Sequence, residues 1–431
     1  MWGINKARRT QIIAWCFYDW ANSAFATSIM AAFFPIFFKQ FWSAGSEVTQ
    51  STFRLGLANS LVGVGAFVFA PILGALADQG RARKRLLSWF AVLGAVATGA
   101  LYFVDKGAWE LATLFYALAS LGYFGGNIFY DSLLSQVAPP DKLDLVSGLG
   151  FAFGYLGGGL LLGINILCLE NFAWLGFSQK SGAVQFAFIT VALWWLVFSL
   201  PLLFKISESR APNAIPMGTL LLKSLVQLYD TWRSIGQYRH LVFFLVAYFF
   251  YIDGVNTIIK MAVDYAMSIG LDGSQLIVAL LVTQFVAFPS AIGFAILGER
   301  WGAHRGILIA ILLYILILVW GAGMQTVSDF YWMAGSVGCV QGGIQALSRS
   351  YYARMIPPNR DAEFFGFYNM VGKFSAILGP LLVGVVANAT GNPRLSLLAI
   401  LLLFVAGAVF LILPARYAAK LSSSAIKKDL T

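Results

Sequence analysis

Apolar positions along this chain come in long runs separated by short clusters of polar, glycine, proline and basic residues. A helix needs about 20 predominantly apolar residues to cross the hydrocarbon core of a bilayer. The runs predict twelve such helices, at approximately 11–40, 53–79, 84–105, 109–137, 142–170, 182–205, 239–269, 273–298, 303–325, 329–356, 362–390 and 393–417. Several exceed the bilayer thickness, which implies tilt or protrusion. The first opens with Arg8 and Arg9 but is too long for a signal-peptide core and lacks a small-residue cleavage site, so it reads as a retained span. The longest polar connection, roughly 206–238, contains Pro212 and Pro216 and then an amphipathic stretch. Leu221, Leu225, Leu228, Trp232 and Ile235 share one face of it, and Lys223, Gln227, Asp230 and Ser234 face away. That pattern predicts a helix lying on the inner membrane surface, tethering a six-helix half at 1–205 to a second at 239–431.

Composition makes lipid the solvent. Of 431 residues, 59% are hydrophobic and only 11% charged, where a globular domain carries about 25% charged residues. Mean hydropathy is +0.77. A water-facing surface cannot be built from so few charges, which excludes a soluble enzyme, a DNA-binding domain and a disordered scaffold. The net charge of +10 therefore marks topology and not a nucleic-acid partner. One set of loops holds Lys6, Arg8, Arg9, Arg81, Arg83, Lys84, Arg85, Lys142, Lys205, Arg210, Arg300, Arg305, Arg354, Arg360 and the basic C-terminal tail, and the other only Lys39, Arg54, Lys106, Lys180 and Arg394. The positive-inside rule then places both termini in the cytoplasm. Cys16, Cys168 and Cys339 fall in apolar runs and read as small core residues, and neither their spacing nor the two histidines suggests a metal site. The glycine-rich run in span five precedes no P-loop lysine, so no nucleotide or other cofactor is expected.

The chain is internally duplicated. The segment DSLLSQVAPPDKLDLVSGLGFAFGY from Asp131 aligns without a gap on RSYYARMIPPNRDAEFFGFYNMVGK from Arg349. Pro139–Pro140 falls on Pro357–Pro358, Gly148 on Gly366 and Gly154 on Gly372. DWAN from Asp19 echoes DGVN from Asp253, and GALADQGRARKR from Gly74 echoes GERWGAHR from Gly298. Repeated six-helix halves rocking about a midplane site are an architecture of alternating-access transporters.

Gly74, Asp78, Gly80, Arg81, Arg83, Lys84 and Arg85 form a G-x-x-x-D-then-basic loop after span two. With twelve spans, this resembles the major facilitator superfamily. Four segments are similar to its vacuolar-effluxer-like branch: YDWANSAFATSIMAAFFPIFF from Tyr18, SGLGFAFGYLGGGLLL from Ser147, AYFFYIDGVNTI from Ala247, and the stretch from Gln341 to Phe374. The resemblance implies an all-α membrane protein of two pseudo-symmetric six-helix halves. Fungal members of the branch imply efflux of neutral amino acids. It further implies that Asp78 and Arg81 belong to a cytoplasmic latch, for which anchoring of topology is the alternative. Lys260 departs from the pattern by adding a charge.

Charges inside spans cost at least about 2.5–3.5 kcal/mol each at mid-bilayer, so they need partners or a cavity. Asp19, Asp131, Asp253 and Asp264 stand against Lys260, Arg349 and Lys373. Asp19, Asp131 and Arg349 lie in the cytoplasmic thirds of spans one, four and ten, where a salt bridge would form either a gate or a static pair. Asp253, Asn256, Lys260 and Asp264 share one face of span seven. Burial disfavours a charged carboxylate, so Asp253 suits substrate binding or proton coupling, with a structural Asp253–Lys260 pair as the alternative. Asn22, Asn127, Gln341 and Gln345 supply amides for the opposite wall, though each could equally serve as interhelical glue.

The expectation is thus a secondary transporter, not an enzyme, moving an amino acid or derivative, with protons, a small-molecule substrate and the lipid bilayer as its partners. Substrate contacts are expected from Asn22, Asn127, Asp253, Asn256, Lys260, Gln341 and Gln345, proton coupling from Asp253 and Asp19, and a cytoplasmic gate from Asp19, Asp78, Arg81, Asp131 and Arg349. Export as a monomer from a bacterial inner membrane is the expected setting. A larger solute such as a peptide, muropeptide or siderophore is the second reading, and a polytopic enzyme or sensor the third.

Overall fold

The computed structural model describes residues 5–45, 48–80, 82–207, 217–268, 273–375, 378–390 and 393–413. In hydrocarbon every backbone N–H and C=O must be satisfied within the segment, and the chain meets that demand with helices. They are α1 (Lys6–Trp42), α2 (Val48–Gly80), α3 (Arg83–Ala100), α4 (Trp109–Ser132), α5 (Leu143–Glu170) and α6 (Lys180–Lys205). After the connecting helix α7 (Met217–Arg233) come α8 (Arg239–Ser268), α9 (Gly273–Trp301), α10 (Ala303–Gly321) and α11 (Val327–Ala353). The eleventh crossing holds α12 (Asp361–Phe374) and α13 (Leu378–Thr390), and the twelfth α14 (Pro393–Ala399), which merges with the apolar stretch Leu397–Leu413. Nine segments among the described residues are long and apolar enough to cross a membrane. The other crossings are α2, α11 and the Leu397–Leu413 stretch. The fold is all-α with twelve crossings, and the expected span limits hold to within a few residues.

Side chains set several helix ends. The Asn5 carboxamide accepts the Arg8 N–H at 2.8 Å at the start of α1. At the start of α11, Thr326 and Asp329 exchange backbone hydrogen bonds as a capping box. One departure from the α pattern lies inside α1, which winds as a π-helix over Phe25–Phe33 and again over Phe38–Trp42.

The duplication seen in the sequence is a packing rule in three dimensions. The closest crossings between the first six helices and the last six are α2 on α12 and α5 on α9. A Cβ on Gly366 of α12 would stand 2.6 Å from the Ala70 carbonyl oxygen of α2. A Cβ on Gly148 of α5 would stand 2.3 Å from the Ala295 Cβ of α9. These two glycines occupy one repeat position, and both are small because a helix backbone passes against them. The same alignment places Pro71 on Pro289, inside α2 and α9 respectively.

One buried apolar cluster joins both halves, running from Trp15, Tyr130 and Leu143 to Tyr248, Tyr352 and Phe365. A second, around Phe25, Phe34, Trp42, Tyr116 and Trp195, belongs to the first six crossings alone. The shared cluster reaches the end of the bundle that carries Arg8, Arg83, Lys84, Lys142 and Arg354, called here the basic end.

The connecting helix forms as expected, and most of its apolar face lies off the bundle. Gln227 turns onto the bundle, and Ser224 and Thr231 are fully buried against it. Leu221, Leu222, Leu225, Val226, Tyr229 and Trp232 are exposed, with Leu228 half-buried. Hydrogen-bond partners on α2 and α12 hold Gln227 and Thr231 on the bundle, while Lys223 and Asp230 stay exposed. The Ile235 side chain lies outside the described residues. The cysteines also divide: Cys16 is buried, Cys168 half-buried and Cys339 exposed, so only the first is a core residue.

Candidate functional site

Arg349 of α11 reaches across the bundle into the first half and is 2% exposed. Its Nη1 lies 3.0 Å from Asp131 Oδ1 on α4 and 3.8 Å from Asp19 Oδ2 on α1. Its Nε donates to Ser147 Oγ at 3.0 Å and its Nη2 to the Ser147 carbonyl at 2.9 Å, both on α5. Aromatic faces complete the enclosure, with the guanidinium carbon 4.2 Å from the Phe151 ring centroid and 4.9 Å from that of Trp15. Both carboxylates have further donors. Asp131 Oδ2 accepts from the Asn369 amide at 3.0 Å, and Asp19 accepts from Tyr130 and Ser23, each at 3.2 Å. The trio holds two carboxylates for one guanidinium, and Asp19 is the more distant partner.

Nearer the basic end, Asp78 takes two kinds of donor. Arg83 Nη2 lies 2.6 Å from its Oδ1. The backbone N–H groups of Ala362 and Glu363 donate to it at 3.2 and 2.8 Å. A carboxylate from the second crossing therefore caps the first turn of α12, where the helix dipole favours negative charge. Contact is this close because Gly74 has no side chain: a Cβ there would lie 2.1 Å from the Ala362 carbonyl oxygen. Arg83 continues to Asp361 at 3.1 Å, and Ser135 donates to Asp361 at 2.6 Å. A second contact between the halves is made by Asp144 of α5, which accepts from Ser350 at 2.5 Å and pairs with Arg354 at 2.7 Å, while Lys142 meets Glu299 at 3.3 Å. Glu363, fully buried, is held by Arg360 and by Gln227 and Thr231 of α7.

The remaining expected site residues are distributed among separate contacts. Asn22 donates to Asn127 at 2.6 Å between α1 and α4. Gln345 on α11 accepts from the Tyr155 hydroxyl of α5 at 2.9 Å. The Gln341 carboxamide oxygen is buried with no hydrogen-bond partner among the described residues. Asp253 is fully buried and accepts the Gly379 N–H of α13 at 2.8 Å and the Thr257 hydroxyl at 3.4 Å. Asn256 reaches Ser375 at 3.5 Å. Arg81 and the side chains of Lys260 and Asp264 lie outside the described residues. Among the described residues no cluster of His, Cys, Asp or Glu is placed to hold a metal ion.

Sequence reasoning missed Ser147, Asn369, Tyr155 and Phe151. One signal was available: Tyr155 and Lys373 close the two aligned repeat segments, and both reach across the bundle. The π-helical turn beginning at Phe25, three residues after Asn22, gave no signal, although such turns gather at functional sites. There Thr27 accepts the Gln284 amide of α9 at 2.5 Å.

Comparison with solved structures agrees with this architecture. The chain superposes with a TM-score of 0.70 on the major facilitator transporter FucP in its outward conformation, at 15% identity, over 95% of this chain and 99% of that one. The TM-score is also 0.70 for the human organic anion transporter MFSD10, at 15% identity, over 94% and 99% of the two chains. The fold, with its paired halves, is that of the major facilitator superfamily. Residues 7–420 match the family model described as vacuole effluxer Atg22 like, and the chain belongs to that family. It is 38% identical over 404 residues to the uncharacterized MFS-type transporter YxiO of Bacillus subtilis (strain 168), covering 92% of this chain and 93% of that one. It is 24% identical over 478 residues to autophagy-related protein 22 of Saccharomyces cerevisiae (strain ATCC 204508 / S288c), covering 91% and 89%.

Proposed function

We propose that the chain exports a small polar or amphipathic metabolite, an amino acid or derivative, by proton-coupled alternating access across a bacterial inner membrane. Residues 1–205 and 239–431 act as the two rocking halves and 206–238 as their tether, with the basic end and both termini in the cytoplasm. The observation that carries this reading is the Asp19–Asp131–Arg349 layer, which joins the halves by buried charge. A buried pair is a poor stabiliser against an apolar alternative, and its best-attested use is to specify one arrangement or switch between two. Here it holds the cytoplasmic side closed, with Asp78 and Asp144 as an outer layer. Breaking it opens the site inward.

Asp19 and Asp253 are the proton carriers in this reading. Asp19 is the excess carboxylate beside Arg349, so a proton there loosens the layer. Asp253 holds the first turn of α13 through Gly379, so a proton there loosens the eleventh crossing. Asn22, Asn127, Asn256, Lys260, Gln341 and Gln345 contact the substrate. The second reading, a larger solute, would need a roomy cavity lined by aromatic side chains of α1. Trp15 stacks on Tyr130 at 4.3 Å and Trp20 on Trp194 at 5.7 Å, so these rings serve helix packing.

Flux of labelled amino acids and short peptides into proteoliposomes under an imposed proton gradient tests the proposal. An amino acid should move with the gradient, and Asp253→Asn should uncouple it while leaving exchange. Movement indifferent to the gradient sinks the proton coupling. A folded protein that moves no amino acid sinks the substrate class.

A further inference from the structure

We infer that α7 is a lipid-bound clasp: the inner leaflet covers its apolar face, and side chains turned away from that face tie α2 to α12 across the seam between the halves. The lipid contact is independent of what is transported. The clasp rests on the transporter reading above, in which the halves part at the basic end. Leu221, Leu222, Leu225, Val226, Tyr229 and Trp232 are 40% to 73% exposed on a helix of 17 residues. A contiguous apolar face of this kind marks a contact with a partner or with lipid.

The choice of lipid comes from how the residues divide around the helix. At about 100° per residue, α7 presents three sectors. Ser224, Gln227 and Thr231 span about 60° and meet the bundle. The six apolar residues span about 140° on nearly the opposite side. Lys223 and Asp230 lie together on one edge between the two, both exposed, and half-buried Leu228 occupies the other edge. A helix bathed in water would carry polar residues on both edges. One charged edge and one apolar edge fit a helix lying flat at a membrane surface, with the bundle on one side, acyl chains on the other and water below. Arg233, the last residue of α7, falls inside the apolar sector, where its long stem lets the guanidinium reach the headgroups.

The level of α7 agrees with that placement. Its partners are Gln79 in the last turn of α2 and Glu363 in the first turn of α12, so it sits beside the ends of two crossings. Exposed Trp301 at the end of α9 marks the same end as Trp232, and tryptophan gathers at the membrane–water interface. Lys205 and Arg239 bracket the connection and are exposed, which suits the anionic headgroups of an inner leaflet. The clasp itself runs through Gln227. The Gln79 amide donates to it, and its own amide donates to Glu363, as does the Thr231 hydroxyl. Gln79 belongs to the first six crossings and Glu363 to the last six. Parting the halves here must break one of these bonds or drag α7 out of the leaflet.

The test uses the full-length chain with Cys16, Cys168 and Cys339 replaced by alanine, in vesicles of phosphatidylethanolamine and phosphatidylglycerol. Nitroxide labels are attached to Leu222→Cys, Leu225→Cys and Tyr229→Cys in the apolar sector, and to Lys223→Cys and Asp230→Cys on the charged edge. Collision with oxygen, which concentrates among acyl chains, should dominate at the first three positions. Collision with a water-soluble nickel chelate should dominate at the other two. Nickel dominance at all five overturns the lipid contact. So does exclusion of both reagents from the apolar sector, which would mean that a second copy or the chain's own C-terminal segment covers it. Labels at exposed Gln136 and Pro358 read the clasp. Gln227→Leu should increase their separation. So should Leu225→Glu, whose side chain points away from the bundle and acts through lipid, while Leu225→Met should not. Size-exclusion profiles of each variant check folding. An unchanged distance in Gln227→Leu overturns the clasp. Widening in Gln227→Leu without widening in Leu225→Glu overturns its coupling to the leaflet. If Asp131→Asn leaves the distance unchanged as well, the reading of this end as the gate falls with the clasp. The collision measurements need no flux, so the lipid contact stands or falls apart from the transporter reading.

Discussion

Asp131 and Arg349 occupy the same position in the two copies of one repeat, and they touch each other at 3.0 Å. Under a two-fold relation, a residue meets its own equivalent only near the axis. Opposite charges at that position put an ion pair near the axis that relates the two copies. Removing one partner of such a pair costs about 3–5 kcal/mol, because the other is left buried and uncompensated. Asp131→Asn and Arg349→Gln are therefore expected to abolish gradient-driven flux and to favour opening at the basic end. Spin labels at exposed Gln136 and Pro358 should separate in both variants. The exchanged pair, Asp131→Arg with Arg349→Asp, should recover part of the flux, since the axis relates the two environments. No recovery, with labels still close, would show that Ser147 and the aromatic cage read the guanidinium from one side only.

Asp78 should tolerate an amide better than a methyl. It accepts two backbone N–H groups of α12 and the Arg83 guanidinium. Asparagine keeps an oxygen for the backbone and loses the ion pair, while alanine loses both and leaves two N–H groups without acceptors. Hydrogen bonds to charged groups contribute about 1.5–3 kcal/mol, so Asp78→Ala should lower counterflow by roughly tenfold or more. Asp78→Asn should fall between it and the parent. Equal activity in the two variants would place the function of Asp78 in its charge alone.

The span count was legible because lipid imposes a single length and a single polarity on every crossing. The meeting of Asp131 and Arg349 was legible because duplicated segments put opposite charges in one column. What stayed hidden is what neither periodicity nor charge encodes. Ser147 meets Arg349 through a backbone carbonyl, which every residue has, and through a hydroxyl of a kind found on many serines. The amphipathic pattern of 217–233 reveals two faces but cannot say which one meets protein. The Glu363 carboxylate reads as a helix-start acid, yet it is fully buried among Arg360, Gln227 and Thr231. Only the tertiary fold brings those donors together.

Glycine substitutions should separate by what a methyl group would meet. At Gly74 it would strike the Ala362 carbonyl oxygen, and at Gly366 the Ala70 carbonyl oxygen, at 2.1 and 2.6 Å. At Gly163 and Gly384 it would meet nothing within 4 Å. Overpacking costs about 1–3 kcal/mol, here charged to the state in which α2 and α12 are pressed together. Gly74→Ala and Gly366→Ala should lower the unfolding midpoint and widen the Gln136–Pro358 label distance. Gly163→Ala and Gly384→Ala should do neither, because both sites are open and alanine is the better helix former.

Two neighbouring charges at the start of the fifth crossing should behave oppositely in salt. The Lys142–Glu299 pair is open to water, with side chains 30% and 19% exposed, and such contacts contribute about 0–1 kcal/mol. Asp144 is 2% exposed at its side chain and holds both Arg354 and Ser350 across the halves. Its loss should cost about 1.5–3 kcal/mol. Lys142→Ala should shift the apparent unfolding midpoint slightly at low salt. At 1 M salt the screening length falls to about 3 Å, and that small shift should vanish. Asp144→Ala should be destabilised at both salt concentrations and should show opening at the basic end. Equal salt sensitivity in the two variants would mean that the Asp144 cluster is hydrated and contributes no more to closure than a surface contact.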